Sequence, residues 1–406
     1  MINKIINEAE AKLKTIFEDI DKQEYKNSLK VLSAFHKAKI SESSFVSSSG
    51  YGYNDRGREQ IEEVFANILG GEDALVRNQI ISGTHAISTA LFGILRPNER
   101  LLYITGSPYD TLHEVIGIKN NNSSLISFGI LYDEIDLLND DFDYGKIKNY
   151  LENNEVKVVA IQMSRGYSLR KSIPIILLEK VVTMIKKINK EVIIFVDNCY
   201  CEFVEDVSPL EVGCDLIAGS LIKNLGGGIC SNGGYIVGKK SLVHLAAERL
   251  NVAGEAKEVG ASNGFNKLFL QGIYHAPFAV ASSLKTAILT SYVLEKLGYS
   301  VSPKYNEKRS DIIQSIIFEK KQDLIKYIEG IQMGGAIDSF VFPFPSDMPG
   351  YKEQVIMASP SFTSGSSIEI SCDGPLREPY IAFQQGALTY SYGKLALKKA
   401  LEQLKK

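Results

Sequence analysis

The sequence predicts an open α/β fold: a large domain built on a mostly parallel sheet with helices on both faces, followed by a smaller α+β domain. Three observations carry that prediction. Between about residues 74 and 237, short apolar runs alternate with helix-like segments, the rhythm of strand–helix–strand units. The 406 residues, 45% hydrophobic and 23% charged, suffice for a large domain and a companion. After residue 300 the pattern changes to one helix, three strand-like segments and a terminal helix. The expected division is an N-terminal helix and arm over 1–58, a large domain over 59–298 and a small domain over 299–406.

Residues 3–40 read as an amphipathic helix, because Ile5, Ala9, Leu13, Ile16 and Ile20 recur at three- and four-residue spacing. A serine-rich loop over 41–53 follows, then a second amphipathic helix over 59–69. In the large domain the expected strands are 101–104, 124–128, 156–162, 192–196, 216–218 and 234–237. Residues 191–197 form a β-branched run ending in Asp197, as a buried parallel strand does. A long, mostly apolar helix is expected over 265–298. In the small domain a helix over 311–326 precedes strands at 339–342, 353–357 and 367–371, and a helix over 380–405 closes the chain.

A net charge of −3 and a pI near 6.1 give no basic field for nucleic acid. No apolar stretch approaches the roughly 20 residues of a membrane-spanning helix, and the first residues lack the apolar core of a signal peptide. No membrane partner and a cytoplasmic location are therefore expected. Five cysteines, sparse and odd in number, make no disulfide framework, and Cys199 with Cys201 supply too few ligands for zinc. No metal is expected.

Lys223 stands between an apolar strand-like segment and the glycine run at 226–228. Its distance in sequence from Asp197 leaves room for one short connection and one strand, so the two can meet at one sheet edge. An acid and an amine at the carboxyl ends of adjacent strands suggest a pyridoxal 5′-phosphate site, with Lys223 as the Schiff-base lysine and Asp197 as the partner of the pyridinium nitrogen. Ser82-Gly83-Thr84-His85 sits where a loop turns into a helix, and N–H groups at such a terminus bind phosphate. Gly83 permits close approach and Ser82 and Thr84 can donate to phosphate oxygens, although a plain N-cap explains the same residues. Ser220 is a second candidate phosphate donor.

Tyr109 follows the strand at 101–104 and can lay its ring on the pyridine face; a packed turn tyrosine is the competing reading. Arg165, after the strand at 156–162, is placed to donate to the cofactor's phenolic oxygen or to a substrate carboxylate. Arg377 in the small domain is the other candidate carboxylate clamp, and a structural salt bridge is the alternative for both arginines. The glycine run fits neither the dinucleotide fingerprint nor the nucleotide phosphate loop, which leaves an oxidoreductase of that kind without support.

Taken in order, eight segments resemble the bacterial aluminium resistance protein family, also described as cystathionine β-lyase-like or methionine γ-lyase-like. They are Tyr51-Gly-Tyr53, Ser82-Gly-Thr-His85, Ser107-Pro-Tyr-Asp-Thr-Leu112, Ser164-Arg-Gly-Tyr167, Val196-Asp-Asn198, Ser220-Leu-Ile-Lys-Asn-Leu-Gly-Gly-Gly228, Ser359-Pro-Ser-Phe-Thr363 and Asp373-Gly-Pro-Leu-Arg-Glu-Pro-Tyr380. The resemblance spans nearly the whole chain. It implies a fold type I enzyme of the aspartate aminotransferase superfamily that uses pyridoxal phosphate and works as a dimer or a dimer of dimers. In the related enzymes of sulfur amino-acid metabolism, a Tyr-x-Arg motif of the neighbouring subunit reaches the cofactor phosphate. The matching region here reads Tyr51, Gly52, Tyr53, Asn54, Asp55, Arg56, with the arginine displaced. The relatives' Ser-Gly-Met-Ala phosphate loop corresponds to Ser82-Gly83-Thr84-His85.

The reaction this implies is elimination from a sulfur-containing amino acid, giving a thiol, a 2-oxo acid and ammonia. Lys223 would take the Cα proton, and Tyr51, Tyr53 or Tyr109 would protonate the leaving sulfur. Aldol cleavage or transamination on the same cofactor stays open, as does a noncatalytic binding or regulatory protein on the same fold.

Overall fold

The computed structural model describes residues 2–348 and 351–405. It opens with α1 (Ile2–Lys37), one long helix burying Ile6, Ala9, Leu13, Ile20 and Val31. The large domain then runs α2 (Arg56–Leu69), β1 (Asp73–Arg77), α3 (Gly83–Ile94), β2 (Arg100–Tyr103), α4 (His113–Ile116), β3 (Leu131–Glu134) and α5 (Tyr144–Asn153). It continues with β4 (Val158–Gln162), α6 (Ile175–Ile188), β5 (Ile193–Asp197), β6 (Leu216–Ser220), β7 (Gly234–Gly238), α7 (Lys240–Leu250) and α8 (Phe265–Lys296). Its seven strands lie in the order β1-β7-β6-β5-β4-β2-β3. The run from β6 through β3 is parallel, while β7 is antiparallel to both β6 and β1.

Strand alternation divides the core into two faces. Val158, Ala160, Phe195, Leu216 and Ala218 pack with residues of α3 and α7 on one face. Val159, Ile161, Ile194, Val196 and Ile217 pack with α1, α2, α6 and α8 on the other. By length and composition α8 is long and apolar enough to cross a membrane, contrary to the expectation that no stretch is. It is a core helix, since 89% of its most apolar window is buried, and α1 lies along it.

The small domain comprises β8 (Ser300–Ser302), β9 (Gln314–Phe318), α9 (Lys321–Gly334), β10 (Val355–Ala358), β11 (Ser371–Pro375), β12 (Tyr380–Gln385) and α10 (Tyr390–Leu404). Its antiparallel sheet has the order β10-β11-β12-β9-β8, and α9 packs against α10.

Several elements differ from expectation for local reasons. The strand expected at 124–128 is a turn: Ser124 Oγ accepts from Ser127 N–H, and Ser127 Oγ donates to the carbonyls of Asn122 and Ser124. These side-chain bonds compete with the ladder, and β3 starts only at Leu131. The helix expected over 311–326 is strand β9 followed by α9, because Ile316 and Ile317 pair with β12. Residues 339–342 form no strand, and 367–371 become one only at Ser371. The helix expected over 380–405 begins as β12; Gly386, at φ +79°, turns the chain before Thr389 caps α10.

Gly219 of β6 pairs with Tyr235 of β7, and the Tyr235 ring lies across it. A Cβ at position 219 would come within 2.6 Å of two ring carbons. Gly219→Ala is expected to cost about 1–3 kcal/mol through overpacking. Urea unfolding of the variant checks this, and an unchanged midpoint would show that the ring yields freely.

Candidate active site

Parallel pairing brings the carboxyl ends of β4, β5 and β6 to one edge, where Gln162, Asp197 and Ser220 are the last strand residues. All three share the parity of Ala160, Phe195 and Ala218, so they point toward the α3 face. The first turn of α3 meets them there. A Cβ on Gly83 would lie 3.3 Å from both Cys199 Sγ and Ser220 Cβ and 3.7 Å from Lys223 Nζ. A side chain there would press on Cys199 and Ser220, so glycine eases the close approach of the helix terminus to the strand ends. Ser82 is the N-cap, its Oγ accepting from His85 N–H at 3.1 Å, as the competing reading has it. That bond uses an oxygen lone pair and leaves the Ser82 O–H free to donate elsewhere.

Gly83, Thr84, Tyr109, Gln162, Asp197, Cys199, Tyr200 and Lys223 line one cavity. Lys223 Nζ sits 4.1 Å from the centre of the Tyr200 ring, a cation–π contact. Tyr200 itself has φ +72°, unusual for a bulky residue, in the turn directly after Asp197. Tyr109 N–H donates to Gln162 Oε1 at 2.8 Å, and Gly166 gives its ring room, since a Cβ there would be 3.2 Å from Tyr109 Cδ2.

Burial pushes the Asp197 carboxyl up, against the pull of Lys223 and the Cys199 N–H. Burial pulls Lys223 down, and the nearby Asp197 and Glu202 carboxyls oppose this by favouring its charged form. Burial also raises the Cys199 thiol and the Tyr109 and Tyr200 hydroxyls, which therefore stay protonated near neutral pH.

Lys223, Asp197, Gly83, Thr84 and Tyr109 thus come together, with Ser220 directly behind Gly83. Thr84 Oγ1 lies 2.8 Å from Thr111 Oγ1. His85 does not line the cavity: its Nδ1 accepts from Ile81 N–H, and burial lowers its pKa, which favours the neutral ring. Arg165 does not line the cavity either: its side chain is fully buried, 3.4 Å from Asp311, and donates to the Ser302 carbonyl at 3.0 Å, so the guanidinium ties the large domain to the small one, with Nη2 left without a partner. Arg377 stays accessible, with 44% of its side chain exposed; it donates to the Tyr167 carbonyl and lies 3.5 Å from Glu353. Tyr51 and Tyr53 are 71% and 54% exposed, stack on each other at 5.7 Å and do not line this chain's cavity.

Sequence reasoning missed Cys199, Tyr200, Glu202, Tyr351 and the role of Asp373. Cys199, Tyr200 and Glu202 follow Asp197 so closely that their proximity was readable. Tyr351 arrives on a long irregular segment and gave no signal; its hydroxyl is 2.5 Å from that of Tyr109. Asp373 stands at the head of the segment that carries Arg377, and its burial on β11 has no local signature in the sequence.

A family model described as methionine gamma-lyase matches residues 2–405. The chain belongs to the methionine gamma-lyase family. It is 45% identical over 407 residues to a Bacillus subtilis (strain 168) protein called uncharacterized protein YnbB, covering 100% of this chain and 96% of that one. A crystal structure from Clostridium novyi NT, described as a carbon-sulfur lyase involved in aluminum resistance, is 45% identical with TM-score 0.95, covering 98% and 95% of the two chains. A Listeria monocytogenes structure, described in terms of cystathionine beta-lyase and aluminum resistance, is 44% identical with TM-score 0.97, covering 99% and 100%. At 17% identity and TM-score 0.64, the pyridoxal-5′-phosphate-dependent protein YhfS of Escherichia coli shares the fold, over 94% of this chain and 97% of its own. The architecture is accordingly that of the fold type I pyridoxal-phosphate enzymes, as the ordered motifs led one to expect.

Two predictions follow from the buried charges in this methionine gamma-lyase family member. Asp311→Ala leaves Arg165 buried without its anion and is expected to cost about 3–5 kcal/mol, read by denaturant unfolding. Glu202, 3% exposed, has its carboxyl pushed up to about 7 by burial, against the hydrogen bond from Tyr235. The folded state therefore holds this proton to higher pH than the unfolded chain does, and the group's contribution to stability falls as pH rises from about 5 to about 8. Glu202→Gln should flatten that slope in unfolding midpoints measured across the range; an unchanged slope would assign the titration elsewhere.

Proposed function

We propose that this protein is a pyridoxal-phosphate-dependent carbon–sulfur lyase acting on a sulfur-containing amino acid, with a thiol, a 2-oxo acid and ammonia as products. The observation that carries the reading is the convergence of Lys223, Asp197 and the first turn of α3 on one cavity. The donor set fits the cofactor. The N–H groups at the start of α3, with the hydroxyls of Ser82, Thr84 and Ser220, suit a phosphate dianion. Asp197, buried with its pKa raised, suits a cationic ring nitrogen that would bring it fully into the charged form. Lys223 is the amine to which an aldehyde would attach.

When bound there, pyridoxal phosphate supplies an electron sink for the pair left on a substrate Cα after loss of its proton. The chain's own residues do the rest. Lys223 Nζ would be the base that takes the Cα proton. Tyr109, kept protonated by burial, is placed to hand a proton to a departing sulfur, a role that its position favours over Tyr51 and Tyr53 within one chain. Arg377, with its accessible fork, is the residue to hold a substrate carboxylate. The working unit is a homo-oligomer in this reading, with the exposed Tyr51–Tyr53 pair covered by a second copy, and the protein acts in the cytoplasm on small-molecule substrates.

The test is the absorbance spectrum of the purified protein before and after borohydride, with peptide mapping. A pyridoxyl group fixed on Lys223 is the expected result. Lys223→Ala should lose both that absorbance and thiol release from sulfur amino acids, whereas normal turnover in the variant would reject the assignment. Equal yields of thiol, 2-oxo acid and ammonia separate elimination from transamination or aldol cleavage.

A further inference from the structure

Tyr200 is held in an unfavourable backbone conformation. Its φ of +72° lies in the left-handed region that a bulky residue rarely enters, and such a conformation persists only where the surroundings enforce it. The enforcement comes from both domains. Just before Tyr200, Cys199 N–H donates to Asp197 Oδ1 at 3.1 Å, and from the small domain Ile312 N–H donates to the Tyr200 carbonyl at 3.2 Å. Tyr200 also packs against the small-domain cluster of Ile313, Ile381 and Phe383.

What the strained turn delivers is a ring face. Tyr200 lines the same cavity as Lys223, and Lys223 Nζ lies 4.1 Å from the ring centre, well inside the roughly 6 Å reach of a cation–π contact. Among the described residues Lys223 has no carboxylate within ion-pair distance, so the ring is a direct contact for its charge while Asp197 and Glu202 act from further away. Burial keeps the Tyr200 phenol protonated, and the ring meets the ammonium as a neutral quadrupole. The lyase reading puts a charge on that nitrogen at one step. When Lys223 Nζ takes the Cα proton, the C–H bond breaks, its electron pair stays on the carbon side, and the Nζ lone pair forms the new N–H bond. A neutral amine thereby becomes an ammonium. A ring face attracts the ammonium far more than the neutral amine, so its stabilisation arrives with the proton.

We propose that Tyr200 is a positioning residue for Lys223, whose ring face receives the ε-ammonium formed when Lys223 takes the substrate's Cα proton. The ring makes the amine a stronger base, and the turn at Tyr200, tied to Ile312 of the small domain, keeps the face against Nζ. The inference rests on the lyase reading for the proton and on the 4.1 Å contact for the ring. Asp197 and Glu202 also favour the charged lysine, while burial keeps Cys199 and Tyr109 protonated; these groups stay constant in a test that changes only the ring.

The experiment places phenylalanine at position 200 (Tyr200→Phe), then its difluoro and trifluoro forms, which keep the ring's shape and progressively withdraw electron density from its face. In the protein without cofactor, acetic anhydride labels only the uncharged amine. The rate at Lys223 at one pH, read by peptide mapping against the exposed Lys4 in the same sample, therefore reports the fraction of Lys223 that is neutral. Tyr200→Phe is expected to leave that ratio near the wild-type value, and the trifluoro form to raise it about tenfold, a shift of about one pKa unit. A ratio that stays flat along the series overturns the proposal, as does a change made wholly by Tyr200→Phe, which would belong to the hydroxyl. On the protein loaded with pyridoxal phosphate, the same series should lower kcat for thiol release with little change in KM, because the contact strengthens only as the charge forms. An unchanged kcat would overturn the part of the ring in proton transfer. Absence of thiol release in the wild-type protein would reject the lyase reading, and the labelling ratio would still decide the ring contact.

Discussion

The parallel pairing of β5 with β6 is the constraint on which the site depends. It sets Asp197 opposite Ala218 and puts both strand ends at the same edge, so that Lys223 follows within one turn. A slip of one residue would turn Asp197 and Ser220 away from α3 and drive Val196 and Ile217 out of their own half of the core. Because the sheet is buried on both faces, that slip is opposed by every apolar side chain along the two strands. The site inherits its precision from the packing of Phe195, Val196, Leu216 and Ile217, none of which does chemistry.

The small domain is held to that edge by groups that the large domain presents just after β4. Arg165 binds Asp311, Tyr167 donates to Asp373, and the Tyr167 carbonyl accepts from Arg377. Three of the four residues from Ser164 to Tyr167 thereby shape the site: Arg165 as a joint, Gly166 as the space for Tyr109, and Tyr167 as the bridge to the acid on β11. A lone arginine in a loop at a sheet edge looks like a ligand-binding group in sequence. Its burial against an acid from residue 311 is a tertiary fact with no local signature.

The legible part of this fold was the part with local periodicity. The stripe of α1, the β-branched run of β5 and the lysine before a glycine run are each readable, and with them the meeting of Asp197 and Lys223 at one cavity. The errors fell where side-chain bonds or non-local pairing override propensity. Ser124 and Ser127 replaced a strand by a turn, and residues 314–318 and 380–385 became strands because each supplies the other's partner. Tyr351 was unreadable for the same reason: only the folded chain shows that residue 351 reaches the hydroxyl of residue 109.

The same burial that makes the site costly also selects its chemistry. Among the groups around the cavity, Cys199, Tyr109, Tyr200 and Lys223 could in principle react with a carbonyl or move a proton. Burial drives the thiol and both phenols toward their neutral, protonated forms, so none of them is an anionic nucleophile at physiological pH. Lys223 is a cation while its neighbours' negative field is unopposed. Anything that brings a second positive charge against Asp197 weakens that field, and so lowers the cost of releasing the lysine's proton. A cationic ring nitrogen at Asp197 would therefore do more than neutralise an acid, because it would free the Lys223 amine to act as a nucleophile and a base while Tyr109 remains an acid beside it.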